Sequence, residues 1–263
     1  MKQFGTRVVI SFLGLVLSLA LLLTSYPLAA SGESRELLLL SGAGLRQPVE
    51  KLVETFQRET GIKVLIEYGG SGKLLARYRA TGKGDVYVPG SFFYIERLAE
   101  KDQVASSCNI VFHVPVVAVN KKRSPLVRKF SDLAKPGVRV GLGDPKAMAL
   151  GRSAEEILNN SGMRDEILKN VVVRAATVKQ LALYVVKGDV DAGIIARADA
   201  FQNRDKVVMH EINPKWYTPE IVAAAVLKSS TNPDAARRLA QFLCSPLGVK
   251  TFEEYGFKPV NAK

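Results

Sequence analysis

Four short segments of small residues could hold an anion. Ser41-Gly42-Ala43-Gly44, Gly69-Gly70-Ser71-Gly72, Gly143 to Gly151 and Ala175-Ala176-Thr177-Val178 each follow an apolar run and open a helix-like one. A strand that turns into a helix through small residues presents the helix's first N–H groups. Those groups have no acceptor inside the helix and carry the positive end of its dipole. Glycine in such a turn lets a ligand approach the backbone closely. Neutral donors of this kind can hold a desolvated dianion with no buried countercharge, each charge-assisted hydrogen bond contributing about 1.5–3 kcal/mol. Ser71 is the one side chain that position alone assigns to the ligand. Two turns lie in each half of the chain, so halves that close on one another can surround a single anion.

Cationic side chains stand near the same turns: Lys73, Arg77, Lys146, Arg152, Arg174, Lys179 and Arg197. Each reads as a solvated surface charge whose field raises the arrival rate of anions. Arg197 is the exception, because it follows Ile194-Ile195-Ala196 at a strand end and could reach the cleft. Catalytic chemistry finds little to use. His113 and His210 are the only histidines, neither stands at metal-ligand spacing to another His or Cys, and both read as structural. Ser71 sits in Gly-Gly-Ser-Gly-Lys, which is neither a nucleophile elbow nor a Walker-type phosphate loop. A phosphate-ester hydrolase using Ser71 would lack an evident base. No two of the eight tyrosines are adjacent, as an iron-binding phenolate pair would be. Cys108 and Cys244 fit no metal motif; two separate buried thiols is the expectation, and a disulfide between them the alternative.

The elements that must position the turns follow from apolar periodicity. Strands are expected at 36–40, 62–66, 85–88, 110–120 (interrupted by Pro115), 138–142, 171–174, 192–195 and 221–227. Helices are expected over 45–56, 74–79, 153–158, 178–186, through 242 from a cap at Asn232-Pro233-Asp234, and at 249–255. Strand, small-residue turn and helix repeated with short connections is an α/β pattern. No Ser/Pro linker separates domains, so domains must meet through strands that pass directly between them. The first thirty residues, basic at Lys2 and Arg7, apolar from Val8 to Leu23 and ending Pro27-Leu28-Ala29-Ala30, read as a secretory signal peptide cleaved after Ala30. An uncleaved tether is the alternative, and no Cys follows to carry a lipid. Cleavage removes only Lys2 and Arg7 from a net charge of +12, so the exported protein stays basic and is expected to meet anions. Its lysines and arginines are scattered, so no nucleic acid partner is expected.

Ser-Gly-Ala-Gly-Leu at 41–45, Gly-Ser-Gly-Lys-Leu-Leu-Ala-Arg at 70–77, Gly-Asp-Pro-Lys at 143–146, Ala-Gly-Ile-Ile-Ala-Arg-Ala-Asp-Ala at 192–200 and Glu-Tyr-Gly-Phe at 254–257 carry a resemblance. Through them residues 36–263 resemble the periplasmic molybdate-binding proteins of ABC importers. The resemblance implies an α/β, two-lobed periplasmic binding protein of type II, with a mixed sheet in each lobe and a hinge of two crossing strands. Residues 31–113 with 226–263 would form the first lobe and 114–225 the second. It implies a monomer that catalyses nothing, needs no cofactor or metal cation, binds molybdate or tungstate between its lobes and delivers it to a membrane permease.

The family's second-turn serine falls on Ser71. Its first-turn serine falls on Gly44, where only a backbone N–H remains, with Ser41 and Ala43 beside it and Gly72 beside Ser71. The second-lobe backbone donors fall near Leu150 and Val178. A tyrosine that commonly donates its hydroxyl falls on Ala196, next to Arg197. Residues 88–91 depart from the family pattern, and Ser91 there could replace a lost hydroxyl or simply cap a helix. The loss of two side-chain donors leaves sulfate, phosphate or a small carboxylate as alternative ligands. A separate alternative is an extracytoplasmic sensor domain that binds the same ligand but partners a receptor and not a permease.

Overall fold

Leu37 to Leu40 lacks the polar alternation of a half-exposed strand because it is covered on both faces. Leu37 and Leu39 pack into one core, and Leu38 and Leu40 into another on the opposite face. This computed structural model describes residues 36–260, and the signal peptide expected at 1–30 lies outside them.

β1 (Glu36–Gly42) pairs in parallel with β2 (Lys63–Gly69) and β3 (Val86–Val88). β10 (Glu220–Leu227) runs antiparallel to β3 and to β4 (Val104–His113), and β11 (Lys258–Pro259) closes the edge. The first sheet has the order β11-β4-β10-β3-β1-β2. A second sheet has the order β7-β6-β8-β5-β9, from β5 (Pro115–Asn120), β6 (Val140–Gly143), β7 (Val171–Ala175), β8 (Ala192–Ala196) and β9 (Val207–Glu211). There β6 is parallel to β7 and β8, while β5 is antiparallel to β8 and β9. Both sheets are mixed, as the resemblance implies.

Nine helices among the described residues cover the sheets: α1 (Arg46–Thr60), α2 (Ser71–Thr81), α3 (Phe93–Ala99), α4 (Ala149–Ser161), α5 (Arg164–Leu168), α6 (Val178–Lys187), α7 (Arg197–Gln202), α8 (Pro233–Leu243) and α9 (Pro246–Glu254). α1 buries Val49, Leu52, Val53 and Phe56, spaced to fall on one face. It stops at Gly61, whose left-handed φ of 69° lets its N–H reach the Gln57 carbonyl. Asn232 caps α8 by accepting from the Ala235 N–H, as its Asn-Pro-Asp start predicts. Leu39, Leu52 and Phe56 are almost wholly buried, and truncating a side chain of this kind costs about 2–5 kcal/mol.

The β-rich stretch around Pro115 is two strands in different sheets. β4 ends at His113, β5 begins at Pro115, and only Val114 stands between. The chain returns between Glu211 and Glu220; the expected passage at 225/226 instead falls inside β10, which pairs with β4 from Glu220 onward. The expectation of two separate thiols is corrected: Cys108 on β4 and Cys244 at the end of α8 form a disulfide, their Cα atoms 6.1 Å apart. The spacing of 136 residues gave no hint of it, because only the packing of α8 on β4 brings the two together. Periodicity also missed β9, α3, α5 and α7, all of seven residues or fewer.

Candidate functional site

Strand register brings the small-residue turns into pairs. Gly42 at the end of β1 sits opposite Gly69 at the end of β2, and Gly143 at the end of β6 sits opposite Ala175 at the end of β7. Each strand leads into a helix within a few residues. A 3-10 turn at Ala43–Leu45 enters α1, Gly70 precedes α2, Met148 precedes α4, and the Thr177 hydroxyl caps α6 by accepting from the Gln180 N–H at 3.2 Å.

The two pairs face one another. One cavity is lined by residues 42–45, 69–71, 148–150 and Val178, with Gly90 and His113. Four helix starts therefore converge, and no Lys, Arg, Asp or Glu lines the space. The cavity measures about 20 Å³, where one water needs about 10–15 Å³ on the same scale. Adding a water radius all round gives a site of about 3 Å radius, the size of one atom surrounded by four oxygens. A sugar or peptide does not fit.

Close approach explains the glycines. A Cβ on Gly44 would lie 2.3 Å from the Val178 Cγ2, and one on Gly70 would lie 2.4 Å from the Ala147 carbonyl oxygen and 2.7 Å from that of Ala176. The serine that the resemblance implies at position 44 would clash with Val178 where it stands. Ala196, where the resemblance implies a tyrosine, packs with Met148, Leu150 and Val178 in an apolar cluster.

The expected site residues separate into two groups. Ala43, Gly44, Ser71, Leu150 and Val178 line the cavity together. Ser71 is 4% exposed, and its hydroxyl accepts from the Gly90 N–H at 3.0 Å, which leaves its own proton for another acceptor. The other four have different partners or places. The Gly72 N–H donates to the Ala147 carbonyl at 3.2 Å and joins the two halves instead of facing the cavity. Ser41 is buried beside the turn, and its hydroxyl has no hydrogen-bond partner among the described residues. Ser91 donates to Glu220 and accepts from the Phe93 N–H and from Arg152, each at 3.2 Å. Arg197 donates to the Gly256 carbonyl at 2.9 Å and does not line the cavity. Arg77, Arg152, Arg174 and Lys179 form ion pairs with Glu67, Glu220, Glu155 and Asp199, while Lys73 and Lys146 are exposed.

His113 is the cavity residue that sequence reasoning passed over. It is 3% exposed, and burial lowers its pKa below the ordinary histidine value. Its Nδ1 lies 3.1 Å from the Gly90 carbonyl oxygen. Its Nε2 is buried with no partner among the described residues. The available signal was its place at the end of β4, two residues before Pro115, where the chain leaves one sheet for the other. Ser71 and His113 share no hydrogen bond, so the site holds no nucleophile–base pair. Among the described residues no group of three or more His, Cys, Asp or Glu could hold a metal ion.

Comparison with known proteins agrees with this architecture. The chain is 42% identical over 245 residues, covering 93% of itself and 98% of its relative, to a Haemophilus influenzae protein named "Putative binding protein". The periplasmic molybdate-binding protein of Azotobacter vinelandii superposes with a TM-score of 0.74 at 20% identity, covering 84% of this chain and 98% of that one. The sulfate-binding protein SubI of Mycobacterium tuberculosis superposes with a TM-score of 0.72 at 20% identity, covering 86% and 87%. Identity at that level speaks for the fold alone. The family model for bacterial extracellular solute-binding proteins matches residues 37–258, and the chain belongs to that family.

Proposed function

We propose that this protein captures a small tetrahedral oxyanion, molybdate or tungstate in the first instance, between its two halves and delivers it to an ABC-type membrane permease. The observation that carries the reading is the convergence of four helix starts on one compact cavity with no charged lining residue. The N–H groups of Ala43, Gly44, Leu150 and Val178 and the Ser71 hydroxyl are the donors. Dipoles and hydrogen bonds then balance the anion's charge, and selection among anions rests on fit. The protein is a carrier and not an enzyme, exported behind the segment at 1–30, with residues 36–113 and 220–259 forming one lobe and 115–211 the other.

A second reading within the binding class is sulfate, phosphate or a small carboxylate. It is favoured by Ala196 and Gly44, which remove two hydroxyl donors from the molybdate pattern. Isothermal titration with molybdate, tungstate, sulfate and phosphate tests both readings. Micromolar or tighter binding of molybdate and tungstate, with sulfate and phosphate much weaker, is expected. Heat from sulfate or phosphate alone would move the assignment to the second reading, and no heat from any of the four would overturn both.

A further inference from the structure

His113 lines the cavity and carries a buried ring nitrogen that has no partner among the described residues. Nδ1 lies 3.1 Å from the Gly90 carbonyl oxygen, which can only accept, so Nδ1 carries the hydrogen. A neutral imidazole has a single N–H. Nε2 is therefore a bare lone pair, buried and without a partner among the described residues. The ring lines the cavity between Gly90 and the second-half helix starts.

Burial favours the neutral ring. It is 3% exposed, and burial lowers its pKa. The two charged groups that act on it oppose one another. Asp199 on α7 raises its pKa and Lys179 on α6 lowers it, and these two are paired at 2.6 Å. The Phe257 ring, 5.8 Å away between centroids, adds only an apolar wall. Arg197, the other basic residue at the start of α7, is turned to the Gly256 carbonyl.

A lone pair set against an anionic oxygen is repulsive, whereas one proton between them makes a charge-assisted hydrogen bond. We propose that Nε2 of His113 is a ligand contact and that one proton bridges it to the bound oxyanion, so that capture of a fully ionised anion takes up a proton from water. This rests on the oxyanion reading of the cavity. A ligand that brings its own hydroxyl, such as hydrogen phosphate, needs no uptake. By linkage, affinity for molybdate or sulfate falls about tenfold per pH unit above the free-state pKa of His113, and affinity for hydrogen phosphate above neutrality does not.

The experiment is isothermal titration of the full chain with molybdate, sulfate and phosphate. It is run at pH 6.5, 7.5 and 8.5 in pairs of buffers of differing ionisation heat, on the wild type and on His113→Gln. The amide of that variant donates without titrating. Uptake of close to one proton per molybdate by the wild type, with a falling pH profile that His113→Gln flattens, is expected. Binding of molybdate or sulfate by the wild type with no proton uptake overturns this inference and leaves the oxyanion reading standing. Uptake that persists in His113→Gln also overturns it, since another group must then supply the site. Failure of all three anions to bind overturns the oxyanion reading and this inference with it. Should the variant not fold, the wild-type proton count decides alone.

Discussion

Gly44 and Val178 meet across the cavity so closely that a single added carbon on Gly44 would sit 2.3 Å from the Val178 Cγ2. The contact joins a helix start of one half to a helix start of the other. A side chain there must move Val178 or hold the halves apart.

Gly44→Ala is therefore expected to weaken oxyanion binding by about tenfold or more, since overpacking costs about 1–3 kcal/mol and each 1.4 kcal/mol is tenfold. Val178→Ala in the same chain should recover most of the loss, because the clash is with a Val178 methyl. Titration calorimetry of the single and double variants checks this; an unchanged affinity in Gly44→Ala would show that the halves do not close as described.

Ser71→Ala removes the cavity's one hydroxyl donor and also the acceptor of the Gly90 N–H. A loss of about 1.5–3 kcal/mol in binding is expected, with thermal stability falling by a smaller amount. The ratio of the two effects, measured by calorimetry and thermal unfolding, separates a ligand contact from a structural one.

Arg152 reaches from α4 to Glu220 at 2.9 Å and to Ser91 at 3.2 Å, and its guanidinium lies 3.6 Å from the centre of the Phe93 ring. It thus clamps the second sheet's helix to the first sheet without lining the cavity. Arg152→Met should leave each half folded, shift the free protein toward an open form and raise the Kd about tenfold. Small-angle scattering of the ligand-free variant, set against the wild type, reads the opening directly.

The Cys108–Cys244 bridge ties β4 to the end of α8 within the first half. Replacing both cysteines with serine is expected to lower stability by about 2–4 kcal/mol while leaving ligand affinity nearly unchanged, because neither residue lines the cavity. Chemical denaturation with and without reductant provides the measurement.

Asp191 is 3% exposed and accepts from the Arg139 backbone N–H at 2.9 Å and from its guanidinium at 2.8 Å. Burial alone would push its carboxyl up, but those bonds and the nearby Arg123 outweigh it and hold the carboxyl below the usual range. A depressed carboxyl pKa contributes stability that is present above the unfolded value of about 3.9 and is lost as pH falls from there through the lower folded value. Stability should decline below about pH 4, and Asp191→Asn should flatten that limb in acid titrations followed by circular dichroism.

The amino-acid order alone determined where most strands and helices lie, and that four of the turns between them are made of small residues. These are local properties. Apolar period, cap residues such as Asn232 and stop residues such as Gly61 act over one or two turns of chain, so they are readable without the fold. β9, which ends in His210 and Glu211, and α7, with Arg197, Asp199 and Gln202 among its six residues, were illegible because they lack the apolar run that marks β7 and β8 at similar length.

Only the tertiary structure decided which groups face the cavity. Parallel pairing of β1 with β2 and of β6 with β7 brings the turns together two by two. Contacts across the halves then turn Gly72 and Arg197 to protein carbonyls, and packing within the first half turns Ser91 to Glu220. His113 and the Cys108–Cys244 bridge depend on partners 23 and 136 residues away in the chain. Contacts of that separation are set by how elements pack, and a side chain's type says nothing of where packing will leave it.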